Sequence, residues 1–459
     1  MSMSIDISPT TMTNGTHSIA YYTIDKLGNM HNIKQLQVVK QITFDKLPIT
    51  SYYGINNNDR ILVTKKYPND YPKSNPPSIP FPKQLSVLTR FQEIKNMGLN
   101  VIRINMYWEG YRWYKSQGQA NIFLNRLKEI ASIADSLGLG ILYNVMHQWK
   151  ISSVLYSSVS KTNRGSGFPE ECLQPLGLVR LSDSYIFDQT IDGSSDVERQ
   201  PKNIFWKSFV NNYSVTIDGI TKPIWQHIWD DYFIDVVVTT KDHTSTIGYE
   251  LINEPLESVD GIITSIYRGL GDYYSFIGQN IRRLTGTKKI FFSELLSWRH
   301  NDTEINSVYR DLAGKSAYHK KAELTVRLML PRNIDGSIIS NIVFSNTEYG
   351  KNGNYGIHFN SQADEYDRVF TMLRQQGIID IPIVITEWNE QDPAQGGVEP
   401  STSFYVNYLN IFKTRKYGWF FYNYDPNYPW SIKDNNYNDR WNSIRTMTFR
   451  QMLVDARNS

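Results

Sequence analysis

Asn100-Val-Ile-Arg-Ile-Asn-Met-Tyr107 sets a single arginine among apolar and β-branched neighbours. Such a run reads as a strand buried on both faces, the kind found in parallel sheets. Before it, Leu85, Leu88, Phe91 and Ile94 fall at helical spacing and Gly98 supplies the stop. After it, Leu124, Leu127, Ile130, Ala131, Ala134 and Leu137 form a second apolar stripe, closed by Gly138. Gly140 to His147 is the next strand. Helix and strand alternate, which marks βαβ units.

The rhythm returns at Ile247 to Glu254, followed by a helix through Ile263, Ile266, Leu270, Tyr274, Ile277, Ile281 and Leu284. Further strands are predicted at Lys289–Glu294, Tyr355–Asn360, Ile381–Glu387 and Tyr417–Asp425, and a last helix carries Trp441, Ile444 and Met447. About eight such units favour an α/β fold closed as a (β/α)8 TIM barrel. An open doubly wound sheet usually shows a Gly-rich phosphate turn after its first strand. The sequence has neither that turn nor G-x-x-x-x-G-K-[ST]. The barrel is preferred.

Residues 17 to 45 alternate apolar and polar around Leu27-Gly28-Asn29, the pattern of a β-hairpin. Residues 1–48 are therefore expected to form a β-rich extension and residues 49–459 the barrel. Tyr71 to Pro82 is Pro-rich and predicts an extended approach to the first helix. Two stretches interrupt the rhythm, 151–201 and 296–350. Both begin where strands end, so they are expected to be βα-loop insertions on the catalytic face. Leu324 to Leu330 could itself be a strand, but a hairpin within the insertion fits better.

Composition narrows the function. The 459 residues carry a net charge of +3 with both signs interspersed, which points away from nucleic acid and from anionic membranes. Cys172 is the lone cysteine, so no intrachain disulfide and no thiolate metal site can form. The eight His form no H-E-x-x-H or other ligand cluster, and neither cofactor nor metal is expected. No run of about 18 apolar residues suggests a membrane span. Met1 to Gly15 is Ser/Thr-rich and lacks the apolar core of a signal peptide. The 30 Tyr and 11 Trp suit a ligand with flat C–H faces and many hydroxyls, such as carbohydrate.

Polar residues recur at strand ends. Arg103 lies within its strand, while His147, Asn253-Glu254, His358 and Glu387 lie at or near the C-terminal ends of theirs. A barrel gathers such positions on one face. Glu254 and Glu387 fall on what count as the fourth and seventh strands, which face one another across the mouth. Paired carboxylates are what glycosidic cleavage needs: one protonates the leaving oxygen, the other attacks the anomeric carbon at a separation of about 5 to 5.5 Å. Anionic Glu387 would keep Glu254 protonated until the ester forms, after which Glu254 can act as base. Taken singly, Arg103 also fits a structural ion pair, and either His fits a core residue.

Gly248-Tyr-Glu-Leu-Ile-Asn-Glu-Pro255 and Ile383-Val-Ile-Thr-Glu-Trp388 resemble the acid/base and nucleophile segments of clan A glycosidases, most of all the family 5 cellulases. Asn100–Ile104, Gly138–His147 and Gly418–Tyr422 resemble that family's arginine, histidine and last strands. The resemblance runs from about residue 85 to 430. It implies a retaining hydrolase with Glu254 as acid/base and Glu387 as nucleophile. It further implies that Asn253 binds the sugar 2-OH, that Arg103 orients Glu387, and that His147 and His358 line the subsite. The family's Tyr, two residues after the His, is replaced in His358-Phe359-Asn360. Trp108, Trp149, Trp298, Trp388, Trp419 and Trp430 are candidate sugar platforms or packing residues, and Tyr422 is a further candidate contact.

The Thr386-Glu387-Trp388 context favours an endo-β-1,4-glucanase acting on a β-linked polysaccharide or oligosaccharide. Mannanase, xylanase, β-glucosidase or a non-catalytic glycan-binding barrel are the alternatives. A polysaccharide substrate implies a secreted or extracellular setting, with a cytoplasmic one as the alternative.

Overall fold

The computed structural model describes residues 15–24, 30–40, 48–57, 84–146, 167–178, 196–255, 263–293, 326–350, 355–378, 380–390 and 402–422. Two antiparallel strands come first, β1 (Gly15–Ile24) and β2 (Met30–Lys40), where the alternating pattern predicts a hairpin. Then follow β3 (Tyr53–Asn57), β4 (Val101–Asn105) and β5 (Gly140–Asn144). A short antiparallel pair, β6 (Ser214–Ile217) and β7 (Ile220–Pro223), precedes β8 (Thr246–Glu250) and β9 (Lys289–Ser293). The last three are β10 (Ile342–Gly350), β11 (Ile383–Glu390) and β12 (Gly418–Phe421). β3, β4, β5, β8, β9, β10, β11 and β12 pair in parallel in that order, and β12 returns to β3 to close the barrel.

Helices fill the crossovers. The first three are α1 (Gln84–Asn96), α2 (Trp108–Ser116) and α3 (Ala120–Leu137). α4 (Asp196–Val210), α5 (Ile224–Ile228) and α6 (Ile234–Thr240) lie between β5 and β8, with a π-helical turn at Trp229–Phe233. α7 (Ile263–Leu284), α8 (Tyr355–Gln375) and α9 (Thr402–Arg415) follow. Gly138 ends α3 as the sequence predicts, in the left-handed conformation at φ 65°.

Strand alternation sorts the apolar side chains into two buried clusters. Ile102, Ile104, Ile141, Tyr143, Ile290, Phe292 and Phe344 join the helices in the larger one. Val101, Leu142, Phe291, Val343, Val384 and Phe420 form a smaller one with Ile49 and Tyr52, the packed floor of the barrel interior. Two residues further along, on the same strand face, the interior turns polar: Val101 gives way to Arg103, Leu142 to Asn144, Phe291 to Ser293 and Val343 to Ser345. All four are buried. This apolar-to-polar switch toward the C-terminal ends is what places a site there.

Three expectations change. Tyr355–Asn360 is not a strand but the first turns of α8. Its residues alternate over a short window, yet Ala363, Tyr366, Val369, Phe370 and Leu373 continue at helical spacing and are buried. The sixth barrel strand is β10, which lies inside the stretch read as the second insertion. Its Ser345-Asn346-Thr347 end dilutes the apolar pattern. The first barrel strand, β3, was not among those predicted. Residues 326–329 are helical, so neither the hairpin expected at Leu324–Leu330 nor the alternative barrel strand forms there. The Pro-rich approach at 71–82, the helix at Trp441–Met447 and most of 151–195 lie outside the described residues.

Candidate active site

Arg103 organises the mouth of the barrel. It rises from the middle of β4, fully buried, and its donors reach β3, β11, β8 and the turn that follows β8. Nε donates to Glu250 Oε2 at 2.6 Å, and Nη1 donates to Asn56 Oδ1 at 2.7 Å and to Glu387 Oε1 at 2.5 Å. Nη2 donates to Asn253 Oδ1 at 2.7 Å. A rigid guanidinium fork suits this role, since charge-assisted bonds in several directions fix both partners and plane. Burial opposes the charge of Arg103, but Glu250 and Glu387 outweigh it and hold the guanidinium protonated.

The other parts lock onto this centre. Asn56 Nδ2 donates to the Thr386 carbonyl at 2.7 Å, tying β3 to the residue before Glu387. Glu250 Oε1 accepts from Ser293 Oγ at 3.2 Å, which in turn meets Ser345 Oγ at 3.1 Å. Burial raises the proton affinity of Glu250 above the ordinary carboxylate range, with Arg103 pulling the other way and Glu387 adding to the rise. Asn144 Nδ2 donates to Asn105 Oδ1 at 3.0 Å between β5 and β4.

Glu254 follows β8 in a turn anchored where the Asn253 N–H donates to the Met146 carbonyl at 3.0 Å. Its φ is 44°, a left-handed conformation unusual for a residue with a Cβ, of the kind that costs on the order of 1–3 kcal/mol and clusters at functional sites. Thr347 Oγ1 donates to Glu254 Oε1 at 2.7 Å. Thr347 is also the register partner of Glu387 between β10 and β11. Adjacent parallel strands lie about 4.8 Å apart, so the two carboxyls are brought to the same side of the barrel mouth.

Of the residues singled out from sequence, Arg103, Asn253 and Glu387 are thus joined by hydrogen bonds, and Glu254 follows Asn253 and bonds Thr347, the register partner of Glu387. His147, Trp149, Trp298 and Trp430 lie outside the described residues. His358 and Asn360 stand in the first turns of α8, beyond the end of β10, not on a barrel strand. Trp108, Trp388 and Trp419 are corrected as platforms because all three are buried. Trp108 packs edge-on to Phe168, and Trp388 is enclosed by Tyr405, Tyr408, Phe412, Trp419 and Phe421. Packing wins over exposure because Trp388 and Trp419 lie on the helix-facing side of their strands and Trp108, the first residue of α2, packs into the same apolar cluster. The Tyr422 N–H donates to the Trp388 carbonyl at 3.0 Å, and its own carbonyl accepts from Asn389 Nδ2.

Sequence reasoning missed Asn56, Glu250 and Thr347. Glu250 was legible as a charged residue inside an apolar strand, the same signal that marked Arg103. Asn56 and Thr347 lay on the two strands that were not recognised. Tyr349 occupies β10 two residues beyond Thr347, in register with Asn389. No group of three or more potential metal ligands occurs among the described residues, and no helix among them is long and apolar enough to cross a membrane.

Residues 81–428 match the family model described as Cellulase (glycosyl hydrolase family 5). An endoglycoceramidase from Cyanea nozakii is 27% identical over 266 residues, which are 53% of this chain and 49% of that protein. The chain thus matches about half the length of that relative. Among solved structures, endo-glycoceramidase II from Rhodococcus sp. as a lactosyl-enzyme intermediate aligns with a TM-score of 0.57 at 15% identity. That alignment covers 86% of this chain and 77% of the other. The same protein in complex with ganglioside GM3 gives a TM-score of 0.58 at 14% identity, over 94% and 81%. At that identity the likeness is one of fold.

Proposed function

The chain belongs to glycosyl hydrolase family 5, and from that premise we propose that it is a retaining glycosidase that removes a β-linked oligosaccharide from a lipid aglycone. Glu387 is the nucleophile and Glu254 the acid/base. The observation that carries this reading is the bond from Arg103 Nη1 to Glu387 Oε1, made by the same guanidinium that holds Asn253, the residue before Glu254. In the first step Glu387 attacks the anomeric carbon, the glycosidic C–O bond breaks, and Glu254 gives its proton to the departing oxygen. In the second, ionised Glu254 takes a proton from water, whose oxygen attacks the anomeric carbon and releases Glu387 as carboxylate. Configuration is retained. Asn253 is placed to hydrogen-bond the sugar 2-OH, and Tyr349 is the nearest match on the sixth strand to the Tyr that family members carry there.

The glycolipid substrate is supported by the endoglycoceramidase relative. The burial of Trp108, Trp388 and Trp419 removes three of the candidate indole platforms on which a sugar chain could stack. A second reading, endo-β-1,4-glucanase, is favoured by the family description itself. The two separate on a substrate panel. Free oligosaccharide released from lactosylceramide or ganglioside in detergent, with no reducing sugar from carboxymethylcellulose, supports the glycolipid reading. The converse supports the glucanase.

A further inference from the structure

We propose that Glu250 is a positioning residue that shares the Arg103 guanidinium with Glu387 and thereby sets how strongly Glu387 attacks and how readily it leaves. The inference rests on Glu387 being the nucleophile.

Glu387 and Arg103 alone would form a neutral buried pair. Glu250 adds a second carboxylate, fully buried like Arg103, and burying an ionised carboxylate is costly unless something compensates. Its contacts are specific: Oε2 takes Arg103 Nε at 2.6 Å, and Oε1 takes the Ser293 hydroxyl at 3.2 Å. The guanidinium charge is delocalised, so a carboxylate at Nε weakens the hold that Nη1 keeps on Glu387. The groups around Glu250 are Arg103 on β4, Tyr274 on α7, Ser293 on β9, Ser345 beyond it on β10, and Glu387 on β11. Arg103 and Glu387 are the only charged ones among these described residues. The proton affinity of Glu250 is raised first by burial and further by the charge of Glu387, against the pull of Arg103.

The consequence differs between the two half-reactions. In the free enzyme the trio of Arg103, Glu250 and Glu387 holds one more negative charge than positive, which leaves Glu387 electron-rich for attack. Once Glu387 is esterified to the sugar its charge is gone, and Glu250 and Arg103 remain as a closed neutral pair. Without Glu250, an unshared guanidinium would dull the nucleophile and draw electrons from the ester oxygen, speeding its departure.

Glu250→Gln tests this with 2,4-dinitrophenyl β-lactoside as probe. Turnover by the native chain, lost in Glu387→Ala and regained with azide, checks the nucleophile assignment first, so its failure is read separately. The Gln variant should release dinitrophenol about tenfold more slowly in the pre-steady state, with the acid limb of kcat/KM lowered by about one pH unit. Breakdown of the glycosyl-enzyme should be unchanged or faster. Equal slowing of both half-reactions with an unmoved acid limb would overturn the proposal. Should Glu250→Gln fail to fold, Glu250→Asp decides: it keeps the charge, so the acid limb should stay at its native position. An acid limb displaced in Glu250→Asp would likewise overturn it.

Discussion

Thr347 donates its hydroxyl to Glu254 at 2.7 Å from the strand position level with Glu387, so one side chain registers the acid/base against the nucleophile's strand. A donor to Oε1 favours the ionised form of Glu254. Thr347→Val keeps shape and removes the donor. The basic limb of kcat/KM should move up by about one pH unit, since a hydrogen bond to a charged group is worth about 1.5–3 kcal/mol. Thr347→Ser should restore the native profile.

The two carboxylates should fail differently. Glu387→Ala should abolish turnover, and azide should restore part of it with an inverted glycosyl azide as product. Glu254→Ala should spare the first step for aryl glycosides with good leaving groups and cripple it for native alkyl aglycones. Steady-state kinetics on both substrate types checks this, and equal losses would contradict the acid assignment.

How much of this was legible in the sequence depended on period and punctuation. The strands at Val101, Gly140, Thr246, Lys289, Ile383 and Gly418 announce themselves as short apolar runs between amphipathic helices. β3 and β10 do not, because Tyr53-Gly-Ile-Asn-Asn57 and Ser345-Asn-Thr347 spend polar residues on the barrel interior. The site suffered accordingly: Arg103, Asn253, Glu254 and Glu387 sit on recognisable strands, whereas Asn56 and Thr347 do not. The indoles misled because strand-end placement does not say which face a side chain takes. Trp388 and Trp419 face the helices.

Gly248 is fixed by close approach rather than by φ. A Cβ there would lie 2.0 Å from the Lys289 carbonyl oxygen, within the β8–β9 ladder that positions Glu250. Gly248→Ala should therefore cost about 3 kcal/mol, the upper end of the range for core overpacking. Urea unfolding monitored by tryptophan fluorescence measures it.

Asp135, at the end of α3, accepts from His243 Nδ1, the Thr244 hydroxyl and the Ser245 N–H at 2.6–2.9 Å, fastening the helix to the entry of β8. Burial would raise its proton affinity, but these hydrogen bonds outweigh burial and hold the carboxyl below the ordinary range. A carboxylate depressed in the folded state stabilises above its unfolded pKa, about 3.9, and that contribution fades as pH falls through the lower folded value. Asp135→Ala should lower stability at pH 7 by about 1.5–3 kcal/mol, and the gap to the native chain should begin to narrow once pH falls below the unfolded value of about 3.9. Thermal melts across that range give the comparison.

Intact-mass analysis after reaction with a 2-deoxy-2-fluoro-β-lactosyl fluoride addresses the central claim most directly. One added glycosyl unit, mapped by peptide digestion to Glu387 and absent in Glu387→Ala, is the expected result. A label on Glu254 or Glu250, or a label that survives in Glu387→Ala, would contradict the assignment of the nucleophile.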